Sequence, residues 1–126
     1  MRVLWIGLGG AVGSILRYLL SGAAQDALPR STFPLGTLVV NVLGCFALGV
    51  LAELAETRGF MSPATRSLLM VGLLGGFTTF SAFASETVSA LRDGAALVAA
   101  LNVASSVFLG LAAVWGGRVA AAQIWR

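Results

Sequence analysis

Polar side chains recur at four-residue spacing within two long apolar stretches of the sequence. Thr37 and Asn41 are four residues apart in one stretch, and Asn102 and Ser106 are four apart in the other. In a helix, residues at this spacing share one face. Their amide and hydroxyl groups donate hydrogen bonds without a fixed charge, which suits a small anion that must bind and then leave. Asn41 is equally compatible with an interhelical hydrogen bond, and both interpretations stay open.

A third polar group lies in the segment GGFTTFSAF, residues 75–83. Three of its side chains carry hydroxyls: Thr78, Thr79 and Ser81. Three carry phenyl rings, of which Phe80 and Phe83 are three residues apart and share a face. A phenyl ring has a positive edge that can attract an anion without a net charge, although rings at this spacing are also typical of core or lipid contacts. Glycine and β-branched residues are weak helix formers, so the segment predicts a helix break at 75–79.

Such a break would release backbone carbonyls and amides from their helical hydrogen bonds. At membrane depth, irregular backbone is tolerated only inside protein or beside water. If two copies met about a two-fold axis in the membrane plane, carbonyls from both could enclose one cation. That arrangement requires the two copies to insert in opposite orientations.

Two charged residues lie deep within the apolar stretches. Glu86 is the acid deepest in a stretch, and Arg17 is the corresponding base. They could neutralise one another, or Arg17 could extend its guanidinium to the interface from the end of its span. Glu86 is also the acid that could serve a proton-coupled route.

The composition indicates an all-α integral membrane protein. Of the 126 residues, 58% are apolar and 10% charged, whereas an ordinary soluble domain has about 25% charged residues. A bilayer core of about 30 Å needs about 20 apolar residues per helix. We therefore predict one four-helix domain over residues 1–126, with spans at 3–21, 34–54, 63–91 and 95–115. This leaves no room for a soluble catalytic domain. The sequence also has no nucleophile–base pair and no metal-ligand set that would indicate an enzyme.

The charge pattern argues against a nucleic-acid partner and for insertion in two orientations. The net charge is +3, but the chain has no histidine and no basic run. Four spans place five arginines on the side of the termini and three on the other: Arg2, Arg58, Arg66, Arg118 and Arg126 against Arg17, Arg30 and Arg92. This bias is too small to fix one topology by the positive-inside rule. Three tryptophans lie near span ends, where the interface favours them: Trp5, Trp115 and Trp125.

Three motifs in this order carry a resemblance to a known family. They are GGAVGSILRY (residues 9–18), GTLVVNVLGCFALG (36–49) and GLLGGFTTFSAFASE (72–86). Over essentially its whole length, the chain resembles the bacterial CrcB/Fluc fluoride channels. The resemblance implies an antiparallel, dual-topology homodimer in the inner membrane, with passive fluoride export that prevents fluoride toxicity.

The resemblance also implies roles for particular residues. The backbone carbonyls of Gly75 and Thr78 would hold a central structural sodium ion, and Arg17 would match the arginine of the first helix. The fluoride pathway would contain Asn41, Phe80, Phe83, Ser81, Thr37, Ser106, Asn102, Thr79 and Glu86. The chain departs from the family at Asn102, where many relatives have tyrosine, and at Gly110, where a hydroxyl is expected.

Two other classes of membrane protein fit the sequence less well. A small multidrug exporter needs an acid in its first span, and this chain has Arg17 there instead. A structural or holin-like protein without a selective pathway would not need ordered polar stripes.

Overall fold

The structure is a computed structural model that describes residues 1–59 and 61–124. Within them, four helical spans are long and apolar enough to cross a membrane. The first two spans are α1 (Arg2–Asp26) and α2 (Leu35–Arg58). The third consists of α3 (Pro63–Arg66), a π-helical segment (Ser67–Leu73), α4 (Leu74–Phe77) and α5 (Phe80–Arg92), and the fourth is α6 (Ala96–Ile124). The prediction of an all-helical fold with four spans is confirmed.

The helices extend further than their apolar stretches predict. In particular, α2 reaches Arg58 and α6 continues beyond residue 115 to Ile124. Arg118 of α6 contacts Glu53 at 3.4 Å and Glu56 at 2.8 Å, both in α2. Because these ion pairs join the two helix ends, both helices continue past the predicted limits. Trp125 and Arg126 lie outside the described residues.

Glycines bring α1 into backbone contact with the third span. A Cβ atom at Gly9 or Gly13 would overlap a backbone carbonyl oxygen of the π-helical segment. Likewise, a Cβ at Gly72 would lie 2.7 Å from the Ile6 carbonyl oxygen, and one at Gly76 would lie 2.5 Å from that of Gly10. In lipid, such small residues allow close packing between helices.

The fourth span packs mainly against α2, and again glycines permit the contact. A Cβ at Gly49 would overlap the Val114 carbonyl oxygen, and one at Gly117 would overlap that of Phe46. The chain therefore forms two closely packed helix pairs, α1 with the third span and α2 with α6.

A side chain at the end of α1 organises the connection to α2. Gln25 Nε2 donates to the carbonyl oxygens of Ser31 and Phe33 at 3.4 and 3.3 Å. Its Oε1 accepts from the Gly36 amide at 3.2 Å. These bonds fix the start of α2, the helix that carries Thr37 and Asn41.

The third span is interrupted, but not where the glycines predict. Gly75 and Gly76 lie within α4, and the extended residues are Thr78 (φ −83°, ψ 156°) and Thr79 (φ −149°, ψ 114°). The expected start of the break at residue 75 is therefore wrong. Gly76 packs in helical conformation against the Gly10 backbone, so this packing keeps the glycine pair helical. At the beginning of the span, the Ser62 side chain accepts from the Thr65 amide and caps α3.

Candidate functional site

Asn41 binds the backbone at the interruption of the third span. Its Nδ2 donates to the Thr79 carbonyl oxygen at 3.0 Å, and its Oδ1 accepts from the Thr79 amide at 2.8 Å. The Thr79 hydroxyl oxygen in turn accepts from the Ala82 amide at 3.2 Å and caps α5. The interhelical role that the sequence left open for Asn41 is thus present, and its pathway role stays a prediction.

The interruption leaves several carbonyl groups without a helical donor, and those of Gly75 and Thr78 are two of them. The Thr79 amide, which would bond the Gly75 carbonyl in a continuous helix, bonds Asn41 instead. The Ala82 amide, which would bond the Thr78 carbonyl, bonds the Thr79 hydroxyl. Among the described residues, no group donates to either carbonyl oxygen. Uncharged carbonyl oxygens of this kind suit a hard cation.

An open-sided cavity of about 390 Å³ lies beside the interruption. Seven of the predicted site residues line it: Asn41, Gly75, Thr78, Thr79, Phe80, Phe83 and Ser106. The rest of the wall includes Gly44, Cys45 and Met70. The cavity therefore combines hydroxyl and amide groups with phenyl rings, and none of its lining side chains carries a full charge.

The two predicted rings lie next to one another at the start of α5. The centroids of Phe80 and Phe83 are 5.4 Å apart, and their planes meet at 50°. Phe80 is 79% exposed in the single chain. Close to them, the hydroxyl oxygens of Thr79 and Ser81 are 3.2 Å apart. An anion beside α5 could therefore meet hydroxyl protons and ring edges together.

Glu86 and Arg17 face a second cavity, of about 310 Å³. Thr37 Oγ1 donates to Glu86 Oε1 at 2.6 Å, whereas Glu86 Oε2 is buried without a hydrogen-bond partner among the described residues. Arg17 and Glu86 form no ion pair there, so the alternative in which they neutralise one another is not observed. Thr79 lines both cavities and connects the two regions.

Asn102 lies apart from the cavity beside the interruption. It is 1% exposed, and its Nδ2 donates to Thr87 Oγ1 at 2.9 Å. Ser106 Oγ donates to Asn102 Oδ1 at 3.5 Å. The structure thus brings Ser106 to the cavity wall and places Asn102 behind it, between α5 and α6.

Thr87 and Gln25 are two residues that the sequence reasoning missed. Thr87 donates to the Phe83 carbonyl at 2.7 Å and accepts from Asn102. Its position four residues after Phe83 was an available signal, because that spacing places both on one face of a helix. Gln25 gave no such signal, since its partners are backbone groups of a loop.

Comparison with known proteins identifies the family. The sequence profile of the family described as CrcB-like protein, Camphor Resistance (CrcB), matches residues 4–118. The chain belongs to the CrcB family. Together with the four spans, membership in this family indicates a multi-pass membrane protein.

Three relatives of this CrcB-family chain are each named Fluoride-specific ion channel FluC. The one from Methylobacillus flagellatus is 47% identical over 116 residues, which cover 92% of this chain and 91% of the relative. Those from Solibacter usitatus and Geobacter sulfurreducens are 49% and 48% identical, with 96% and 97% of this chain and 98% of each relative covered. The predicted resemblance is therefore confirmed. The names describe channels rather than enzymes, in agreement with the sequence.

Proposed function

We propose that the chain is a fluoride-selective channel that lets fluoride leave the cell passively across the bacterial inner membrane and so prevents fluoride toxicity. The observation that carries this proposal is the cavity beside the helix interruption, where hydroxyl and amide groups and two phenyl rings meet and the described lining side chains carry no charge. The names of its CrcB-family relatives support fluoride as the anion.

The arrangement of donors suits an anion that must shed water without being trapped. The Ser81 and Thr79 hydroxyls lie at the start of α5, where they can replace part of a hydration shell. The edges of Phe80 and Phe83 add attraction without charge. Arg17 lies in the neighbouring cavity, where its positive charge attracts anions towards Thr79. Weak, neutral contacts at several positions favour release as well as binding.

We further propose that a sodium ion is held at the interruption as a structural component. The carbonyl oxygens of Gly75 and Thr78 would hold it, since both lack donors and line one cavity. When bound, sodium would supply positive charge that compensates the released carbonyl dipoles. Gly75 and Thr78 of one chain contribute two oxygens, so a second copy would be needed to surround the ion more fully.

The same reasoning favours an antiparallel homodimer in the bilayer. Gly75 has no atom within 4 Å of a Cβ position, and Phe80 is largely exposed. Gly75 belongs to the proposed sodium site and Phe80 to the proposed pathway, yet each faces open space in one chain. A second copy in the opposite orientation would cover them and bring a second pair of carbonyls to the ion.

Fluoride efflux from liposomes tests the proposed function. We expect vesicles that hold the purified protein and potassium fluoride to release fluoride rapidly when valinomycin carries the potassium. Matched vesicles loaded with potassium chloride should retain their chloride. Protein-free vesicles provide the baseline. Fluoride retention, or chloride release at the fluoride rate, would refute the proposal.

A further inference from the structure

One amide contacts both walls of the cavity from behind. Asn102 Nδ2 donates to Thr87 Oγ1 at 2.9 Å, and Thr87 donates to the Phe83 carbonyl oxygen at 2.7 Å. Asn102 Oδ1 accepts from Ser106 Oγ at 3.5 Å. Phe83 and Ser106 line the cavity on α5 and α6 respectively. Asn102 is therefore hydrogen-bonded, directly or through Thr87, to residues on two sides of the proposed pathway.

The Ser106 hydroxyl donates its single proton weakly to Asn102. A hydroxyl has one proton to donate, so a proton directed to Asn102 is not directed into the cavity. At 3.5 Å this bond is at the long limit and weak. An anion beside Ser106 can therefore compete for the proton, and Asn102 can accept it again after the anion leaves.

Ser106 is the hydroxyl of α6 for which this competition matters. Its neighbour Ser105 donates to the Leu101 carbonyl at 2.7 Å and to that of Asn102 at 3.3 Å. Bonds of this type to the preceding turn occupy the proton within the same helix. Gly110, one turn beyond Ser106, has no side chain to offer. The behaviour of Ser106 therefore depends on Asn102.

We propose that Asn102 is a positioning residue of the pathway and does not itself contact the anion. It links Ser106 of α6 to Thr87 of α5, which bonds the Phe83 carbonyl, and it offers the Ser106 proton a weak acceptor from which a passing anion can take it. This inference rests on the proposed fluoride conduction and deepens it.

Coupling between Asn102 and Ser106 provides the test. Asn102→Leu keeps the size of the side chain but removes both hydrogen bonds. In liposomes, we expect this variant to reduce fluoride efflux by about tenfold, because the barrier to conduction would rise by the free energy of one modest hydrogen bond. Ser106→Ala should reduce it as well. In the double variant, Asn102→Leu should cause less than about a further twofold loss, because interacting residues are not additive.

Matched variants separate positioning from general stability. Ser105→Ala removes a hydroxyl bonded within α6 and should leave efflux unchanged. Thr87→Val keeps the shape at residue 87 but removes the acceptor of Asn102, so it should reduce efflux. Because it leaves a buried amide unpaired, its melting temperature should fall, and efflux is compared in protein that still elutes as the folded wild type does. Thr87→Val also keeps the test decisive if Asn102→Leu does not fold.

Several outcomes would overturn the inference. Equal efflux from wild type and from Asn102→Leu would do so, as would losses that multiply independently in the double variant. In the second case, Asn102 would have only a structural role. If wild-type vesicles themselves retain fluoride, the proposed function fails and this inference fails with it. If the wild type conducts fluoride and Asn102→Leu does not change the efflux, only the inference about Asn102 fails and the proposed function stands.

Discussion

At the scale of single residues, Asn41 is the side chain on which the interruption of the third span depends most directly. Thr79 is 9% exposed, and Asn41 satisfies both its amide and its carbonyl. Asn41→Leu would leave these two groups unpaired, at a cost of about 1–3 kcal/mol each. We expect this variant to unfold at a lower temperature and to lose fluoride efflux, measured by a thermal melt in detergent and by the liposome assay.

Cys45 offers a matched control for Asn41. It lies one turn further along α2 and lines the same cavity, but its thiol is free. Cys45→Ala should therefore keep the melting temperature and the efflux of the wild type. If Asn41→Leu melts at the wild-type temperature, the two bonds to Thr79 do not stabilise the interruption.

The residue pattern predicted which side chains share a helix face better than it predicted their hydrogen-bond partners. Four-residue spacing correctly placed Thr37 and Asn41 in one helix, but it carries no information about the neighbouring helix. The donor for Glu86 is Thr37, and the sequence suggested Arg17 because opposite charges attract. The spacing of Thr87 from Phe83 showed that the two share a face, but its bond to Asn102 depends on how α5 and α6 pack.

At the scale of elements, the contact between α1 and the third span depends on glycine. A Cβ at Gly13 would overlap the Leu73 carbonyl oxygen, whereas one at Gly7 meets nothing within 4 Å. Gly13→Ala must therefore separate two backbones, and overpacking of this kind costs about 1–3 kcal/mol. We expect Gly13→Ala to melt at a lower temperature than the wild type. Gly7→Ala, which adds the same methyl group to the same helix, should melt at the wild-type temperature. Equal melts for both variants would contradict the close contact.

Helix propensity predicted that the third span is interrupted but not at which residues. The weak helix formers of GGFTTFSAF correctly indicated an interruption, and its location depends on contacts from other helices. Gly76 is held helical against α1, while Asn41 of α2 binds Thr79 and fixes the extended residues there. The π-helical segment Ser67–Leu73 has no residue pattern that would have predicted it.

At the scale of the whole molecule, the single chain leaves its proposed pathway partly uncovered. Phe80 is 79% exposed, and the cavity that it lines is open on one side. A pathway that excludes water and chloride needs walls on all sides. The second wall is not contained in the sequence of one chain. The small arginine bias between the two sides of the membrane allows a second copy in the opposite orientation, which the proposed cation site also requires.

That bias leads to a prediction about orientation in the membrane. Leu28 lies in the loop between α1 and α2 and is 52% exposed, so Leu28→Cys in a Cys45→Ala background introduces one accessible thiol without a change in charge. We expect a membrane-impermeant maleimide to label about half of the chains in intact cells and the rest only after permeabilisation, because five arginines against three do not fix one topology.

A charge variant of the same loop supplies the control. Pro29→Arg adds a positive charge beside the thiol, and loops rich in arginine favour the cytoplasmic side. It should therefore reduce labelling in intact cells and, by depleting one orientation, reduce fluoride efflux per molecule of purified protein. Complete labelling or complete protection of the Leu28→Cys chain would show a single orientation. The antiparallel dimer would then be excluded, together with the sodium site shared between two opposed copies.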